Sequence, residues 1–218
     1  MNPNNSSKKS STKGKKNTAK LAFKPGNMLY PLPAVMVSCQ YPLAHDPLCP
    51  NPELDGVPNI ITVAWAGTVC TNPPMLSISV RPERYSYHMI EDSGEFVVNL
   101  TTKKLVRAAD YCGVRSGREV DKFRKMNLTP LPSREVSVPG IAESPVNLEC
   151  RVRQITPLGS HHMILADIVA VTVDEAYLDE KGKFHLNDSG LVTYSHGEYF
   201  LLGERLGSFG YSVAKRKK

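Results

Sequence analysis

The 218-residue sequence predicts an α+β protein built on a small, mainly antiparallel β-barrel with peripheral helices. Three observations predict it. The segments run strand, strand, strand, helix, strand, helices, strand, strand, which is not the regular alternation of a doubly wound parallel sheet. Two long stretches, VNLECRVRQITPL and HMILADIVAVTVDE, meet at Gly159-Ser160 and alternate β-branched or long apolar residues with polar ones, as a barrel wall requires. Finally, NIITVAWAGTVCTNPPMLSISV, from Asn59 to Val80, runs 22 residues without a charged side chain. Asn59, Thr62, Thr68, Thr71 and Asn72 interrupt it, and Pro73-Pro74 would break a helix, so it reads as buried strands and not as a membrane span.

Residues 1–22 are Ser, Thr, Asn and Lys with almost no large apolar group, the composition of a disordered basic tail. Structure is expected from near Pro31, with a first strand at PAVMVSCQ and a proline-rich loop over 42–58. IITVAW and MLSISV follow as strands flanking the turn TNPP. Pro82 is placed at the first position of a helix, PERYSYHMIEDS, which Gly94 closes. EFVVNLT is a strand, KKLVRAADYC an amphipathic helix ending at Gly113, and REVDKFRKM a further helix. After the two long strands comes an aromatic- and glycine-rich stretch, GLVTYSHGEYFLLGERLGSFGYSV. The domain is expected over 23–213, with a basic tail at 214–218.

Composition narrows the function. Apolar content of 41% and charged content of 22% are those of a globular protein. The net charge of +6 sits in the tails: residues 1–25 hold seven lysines and no acid, and the last four residues add four positive charges. Taking those 11 from the 27 basic residues leaves 16 against 21 acidic ones, so the domain itself is net acidic and nucleic-acid binding through solvated tails is the lesser reading. Five scattered cysteines, with no C-x-x-C pair and no apolar leader before them, read as free thiols of a cytoplasmic protein. Cys39, His45 and Cys49 lack metal-site spacing and read as ordinary loop residues.

Other candidates are weighed one by one. Gly203, Gly207 and Gly210 form G-x-x-x-G-x-x-G, not a dinucleotide loop, and only eight residues follow. Arg81 precedes a helix N-terminus, where an arginine and free N–H groups can hold a phosphate with Tyr85 and Ser86; the plainer role is pairing with Glu83 or Glu91. Of His161 and His162, adjacent on a strand, only one can enter a shared pocket. Lys122 reads by default as solvated and Trp65 as core.

Together these segments are more specific. NIITVAWAGTVCTNPPMLSISVRPERYSYHMIEDSGEFVVNL, SGREVDKF, GSHHMILADIVAV and YSHGEYFLLGERLGSFG, in that order, resemble the flavin reductase-like, FMN-binding split-barrel family, especially its flavoredoxin-type members, over roughly 28–213. The resemblance implies that the uncharged stretch wraps a flavin mononucleotide. It implies that Asn59 and Trp65 lie beside the isoalloxazine, with Thr62, Ala64, Ala66, Thr68 and Cys70 along the slot. It further implies a phosphate end formed by Arg81, Tyr85 and Ser86, and a flavin contact from Lys122 that stabilises negative charge on the reduced ring. His161 is implied at the open face where a nicotinamide or other electron partner approaches, and Tyr194 and Tyr199 at the pocket's closure. The loop Gln40–Pro58 departs from the family pattern and receives no role.

The resemblance implies an oxidoreductase in which NADH or NADPH gives hydride to FMN, held in a homodimer with its flavin sites near the subunit interface. The second reading is a flavoredoxin-like electron carrier reduced by a protein partner, without a nicotinamide site. The third is a binding protein that uses its basic tails on an anionic surface.

Overall fold

The computed structural model describes residues 19–213; of the two basic tails, 1–18 and 214–218 lie outside the described residues. Twelve strands and three α-helices follow in chain order. They are β1 (Leu32–Pro33), β2 (Val35–Cys39), β3 (Asn59–Val63), β4 (Ala66–Thr71), β5 (Pro74–Val80), α1 (Tyr85–Ser93) and β6 (Glu95–Leu100). Then come α2 (Val106–Val114), α3 (Lys122–Lys125), β7 (Pro130–Leu131), β8 (Gly140–Ile141), β9 (Val146–Pro157), β10 (His162–Val173), β11 (Val192–Ser195) and β12 (Glu198–Leu201).

The main sheet has seven antiparallel strands in the order β3-β2-β6-β9-β10-β5-β4. Laid flat, with strands about 4.8 Å apart, it would separate its outer members by roughly 29 Å. Yet β3 and β4, the two outer strands, are joined only by Ala64 and Trp65. A link of that length reaches at most about 11 Å. The sheet therefore curls until its edges nearly meet, giving a barrel split along one seam, and the Trp65 carbonyl accepts from Ser79 N–H at 2.9 Å across the bend.

Two cores lie on either side of this wall. Inside the barrel are Val35, Val37, Val63, Leu76, Ile78, Ile90, Phe96, Val98 and Ile164. Outside, α2 and α3 press Leu105, Ala108, Ala109, Cys112 and Phe123 against Met36 and Ile60. Strand β2 feeds both cores by its pleat, which is why all five of its residues are buried. Strand β3 alternates likewise: Ile61 and Val63 face inward, while Ile60 faces the helices.

Three expectations need correction. The segment 59–80 holds three strands, not two, because AGTVCT forms β4; its residues are mostly exposed, so no alternation marked it. The helix expected from Pro82 starts at Tyr85, since Arg84 is extended and the preceding residues form a turn closed by Arg84 N–H to Arg81 C=O at 3.0 Å. The helix expected over REVDKFRKM is only the four residues of α3, because the Asp121 carboxylate caps Arg124 N–H and fixes the start there. Asn127, with φ of 52°, lies just beyond its end. No helix among the described residues is long and apolar enough to cross a membrane.

Candidate functional site

The seam opens into two joined clefts, which share Ile61, Arg84, Gly113 and Val114 in their walls. The wider, about 460 Å³, is lined by Ile61, Thr62, Val63, Ala64 and Trp65, by Ser79, Val80 and Arg81 at the end of β5, and by His161. Tyr194 and Tyr199 close one side, with ring centroids 5.6 Å apart and edge to face. The Tyr199 hydroxyl donates to Asp110 Oδ1 at 3.4 Å; burial first, and then the Asp110 charge, push its pKa up to about 12.

His161 tilts over the half-exposed Trp65, ring centroids 4.3 Å apart. His162 turns the other way, its Nδ1 2.8 Å from the Tyr87 hydroxyl. The pleat thus divides the pair as expected, sending one imidazole to the cleft and the other to α1. Burial first, and then the Arg81 guanidinium, hold the His161 imidazolium below its ordinary pKa, with Glu83 opposing and Arg84 adding.

The narrower cleft, about 250 Å³, is polar and deep. Asn59, Ser86 and Lys122 are buried in its wall, and Arg84, Arg115 and Arg118 stand around it. Asn59 Nδ2 donates to Ser86 Oγ at 2.9 Å, whereas Asn59 Oδ1 is buried without a hydrogen-bond partner among the described residues. Gly117 lies against that amide: a Cβ there would meet Oδ1 at 2.4 Å, so only glycine lets the 115–118 turn close over it. Tyr85 forms the base, with the Arg118 guanidinium carbon 4.9 Å from its ring centroid. The first turn of α1 opens here without a side-chain cap, leaving partial positive charge beside three guanidiniums. Such a set has the charge and the donors to hold an anion.

The remaining expected residues fall variously. Lys122 is in the wall of the narrow cleft, but its ammonium donates to the carbonyls of Ile60 at 2.6 Å and Cys112 at 2.9 Å, tying β3 to α2; burial lowers its pKa. The Thr62 hydroxyl is donated to the Ala109 carbonyl and holds α2. Arg81 borders the wide cleft and pairs with Glu83 at 3.5 Å; Arg84 lies in the walls of both clefts, and Tyr85 and Ser86 in that of the narrow one. Ala66 lines a separate groove of about 540 Å³ with Met28, Leu29 and Tyr30. Thr68 and Cys70 lie further along β4, in the wall of neither cleft. Cys39, His45 and Cys49 are separately engaged: Cys39 with Met89, His45 with Asp55 and Cys49 with the Asn51 carbonyl. No cluster of three or more metal-ligating side chains occurs among the described residues.

Sequence reasoning missed Arg84, Arg115, Arg118, Asp110, Gly117 and Tyr30. The signal for several was present in RPER and SGRE, where arginines sit beside serine, glycine or a helix start.

Comparison with known proteins places the fold. An uncharacterized protein of Archaeoglobus fulgidus is 34% identical over 143 residues, 66% of this chain and 80% of its own length. Flavoredoxin of Desulfovibrio vulgaris superposes with a TM-score of 0.78 at 29% identity, covering 90% of this chain and 100% of that one. Flavoredoxin of Methanosarcina acetivorans gives 0.76 at 26% identity, with the same coverage. The sequence profile described as flavin reductase like domain matches residues 28–202, and the chain belongs to that family.

Proposed function

We propose that the two joined clefts hold FMN and that the chain is an oxidoreductase drawing electrons from NADH or NADPH. One observation carries the reading: a wide cleft with an aromatic wall runs into a narrow one ringed by arginines, a shape matched to a flat ring with a phosphate tail. Two details of the narrow cleft fit the same molecule. The buried Asn59 Oδ1 is left with accepting capacity that a ribityl hydroxyl would use, and Gly117 lets the 115–118 turn pack against that amide. Arg84, Arg118 and Ser86 would hold the phosphate, and Ala64 and Trp65 would bound the ring. When bound, FMN supplies hydride and one-electron chemistry.

The chain's own part is positioning and electrostatics. His161, its pKa held down by burial and by Arg81, stands at the open end of the wide cleft as a hydrogen-bonding group for an incoming electron donor. Lys122, fixed behind the wall, contributes positive potential without direct exposure.

A second reading is favoured by the likeness to two flavoredoxins: an electron carrier reduced by a protein partner. We also propose a homodimer. Leu201, Leu202, Leu206 and Phe209 near one end of the described chain, and Leu21, Phe23 and Leu29 near the other, are all exposed, more apolar surface than a lone subunit normally presents. Five free cysteines suit a reducing, cytoplasmic setting.

The test is the visible spectrum of the purified protein, followed by anaerobic addition of NADH and NADPH separately. Bound oxidised flavin that is bleached rapidly by one nucleotide supports the reductase. Bound flavin bleached only by dithionite or a protein donor selects the carrier. A colourless protein that does not take up FMN rejects both.

A further inference from the structure

We infer that Asp46, in the proline-rich loop between β2 and β3, is a positioning residue for the phosphate end of the site, acting on Arg118 through Tyr85. The inference rests on the FMN reading above and assigns a role to a loop that the sequence left without one.

The loop is a built object. Gln40 Nε2 donates to the Gly56 carbonyl at 3.0 Å across its neck. Inside, Cys49 N–H donates to the Asp46 carbonyl at 3.0 Å, and Asp46 N–H to Asp55 Oδ1 at 2.6 Å. His45 engages the other oxygen of Asp55. The result is that the Asp46 carboxylate, 1% exposed, is carried beneath α1. A buried carboxylate is costly unless fully hydrogen-bonded, and this one is. It accepts from the Tyr85 hydroxyl at 2.9 Å, from His88 Nε2 at 2.9 Å and from Leu48 N–H at 2.9 Å. Burial alone would raise its pKa, but the bonds from His88, Leu48 and Tyr85 outweigh it and keep the group ionised.

What makes this more than a loop anchor is the far face of Tyr85. The same phenol that donates to Asp46 carries the Arg118 guanidinium above its ring, and Tyr85 and Arg118 both line the narrow cleft. Donation to an anionic acceptor leaves the ring richer in electrons and fixes its plane, and both effects strengthen its hold on the cation. The turn that carries Arg118 is braced by its own backbone, Arg118 N–H donating to Ser116 Oγ and Glu119 N–H to the Ser116 carbonyl, both at 3.2 Å. Asp46 thus sets where Arg118 stands when an anion arrives.

The test compares FMN with riboflavin, which lacks the phosphate, in fluorescence titrations of wild type, Asp46→Asn and Tyr85→Phe, with the melting temperature recorded for each. Both variants should bind FMN about five- to tenfold more weakly, the worth of a partly desolvated cation–π contact, with riboflavin affinity unchanged. Loss of affinity for both flavins in equal measure would make Asp46 a structural anchor only and overturn the inference, as would no loss for either. If Asp46→Asn fails to fold, Tyr85→Phe, which keeps the ring and removes only the tether, decides by the same ratio. Wild-type protein that binds neither flavin defeats the underlying FMN reading instead, and wild type that binds both equally defeats the phosphate assignment on which Asp46 depends.

Discussion

The wide and narrow clefts share four wall residues and differ in almost everything else. The wide one is framed by strand ends and turns: Trp65 and Arg81 are exposed, and His161 and the two tyrosines are half-buried. The narrow one has a buried floor of Asn59, Ser86, Tyr85 and Lys122, their hydrogen bonds made apart from Asn59 Oδ1, beneath a rim that carries the exposed Arg84 and Arg115 and the half-buried Arg118. The difference teaches a division of labour. Preorganised, desolvated polar groups give binding energy because they reorganise little on association, while an open, partly exposed wall leaves room for a second molecule. Affinity should therefore respond to changes in the narrow half and turnover to changes in the wide half.

The largest effect should come from filling the narrow half. Gly117→Ala places a methyl group against the Asn59 amide, and overpacking there should weaken FMN binding by roughly 100-fold, equivalent to about 3 kcal/mol. Fluorescence titration measures it; near-normal affinity would mean that Asn59 gives way and the narrow half is not rigid. A change in the wide half should split the other way. His161→Ala should leave FMN affinity within about twofold and slow reduction by NADH or NADPH roughly tenfold in stopped-flow experiments. A matching loss of affinity would erase the proposed division.

The smallest effect concerns the thiols behind the narrow cleft. Cys39 and Cys112 adjoin Lys122, and burial is the main force pushing their pKa values from 9.0 up to about 12 and about 11; Cys150, buried in the barrel, is pushed up to about 12. In the unfolded chain these thiols ionise near 9.0, so above that pH the unfolded state has lost protons that the folded state retains. Stability is therefore undiminished below 9.0 and declines as pH rises toward the folded values. Urea midpoints taken at about pH 8 and about pH 10 should show the decline, and Cys112→Ala should reduce it. Cys70, on the outer strand, should react first with a thiol reagent, and Cys39, Cys112 and Cys150 only on unfolding.

Legibility in the sequence followed periodicity. The hairpin of β9 and β10 was plain because two long stretches rich in β-branched residues are joined by a glycine turn; the register shifts between Leu165 and Ala166 and between Ile168 and Ala170 were not foreseen. Strand β4 was hidden because an exposed edge strand need not alternate, and α1 was misplaced because proline's preference for a first helical turn yielded to a tighter turn at Arg81 to Arg84. Trp65 and His161 were singled out through the resemblance, and the structure brings their rings together in the wall of the wide cleft. The 115–118 turn was not read as part of a site. Nothing local marks Gly117 as obligatory, since what forbids a side chain there is an asparagine far away on β3.

The two-residue link between β3 and β4 has a consequence for how the molecule assembles. Its two residues keep the outer strands close in any state of the chain, but the cleft they line also takes walls from β5, α2, His161 and the two tyrosines Tyr194 and Tyr199. That cleft is therefore complete only when contacts distant in sequence have formed. The cleft is thus a sensor of completed folding. A ligand that spans it selects the finished barrel alone, stabilises that state by mass action, and slows reopening of the seam, the step from which the rest of the sheet would unravel.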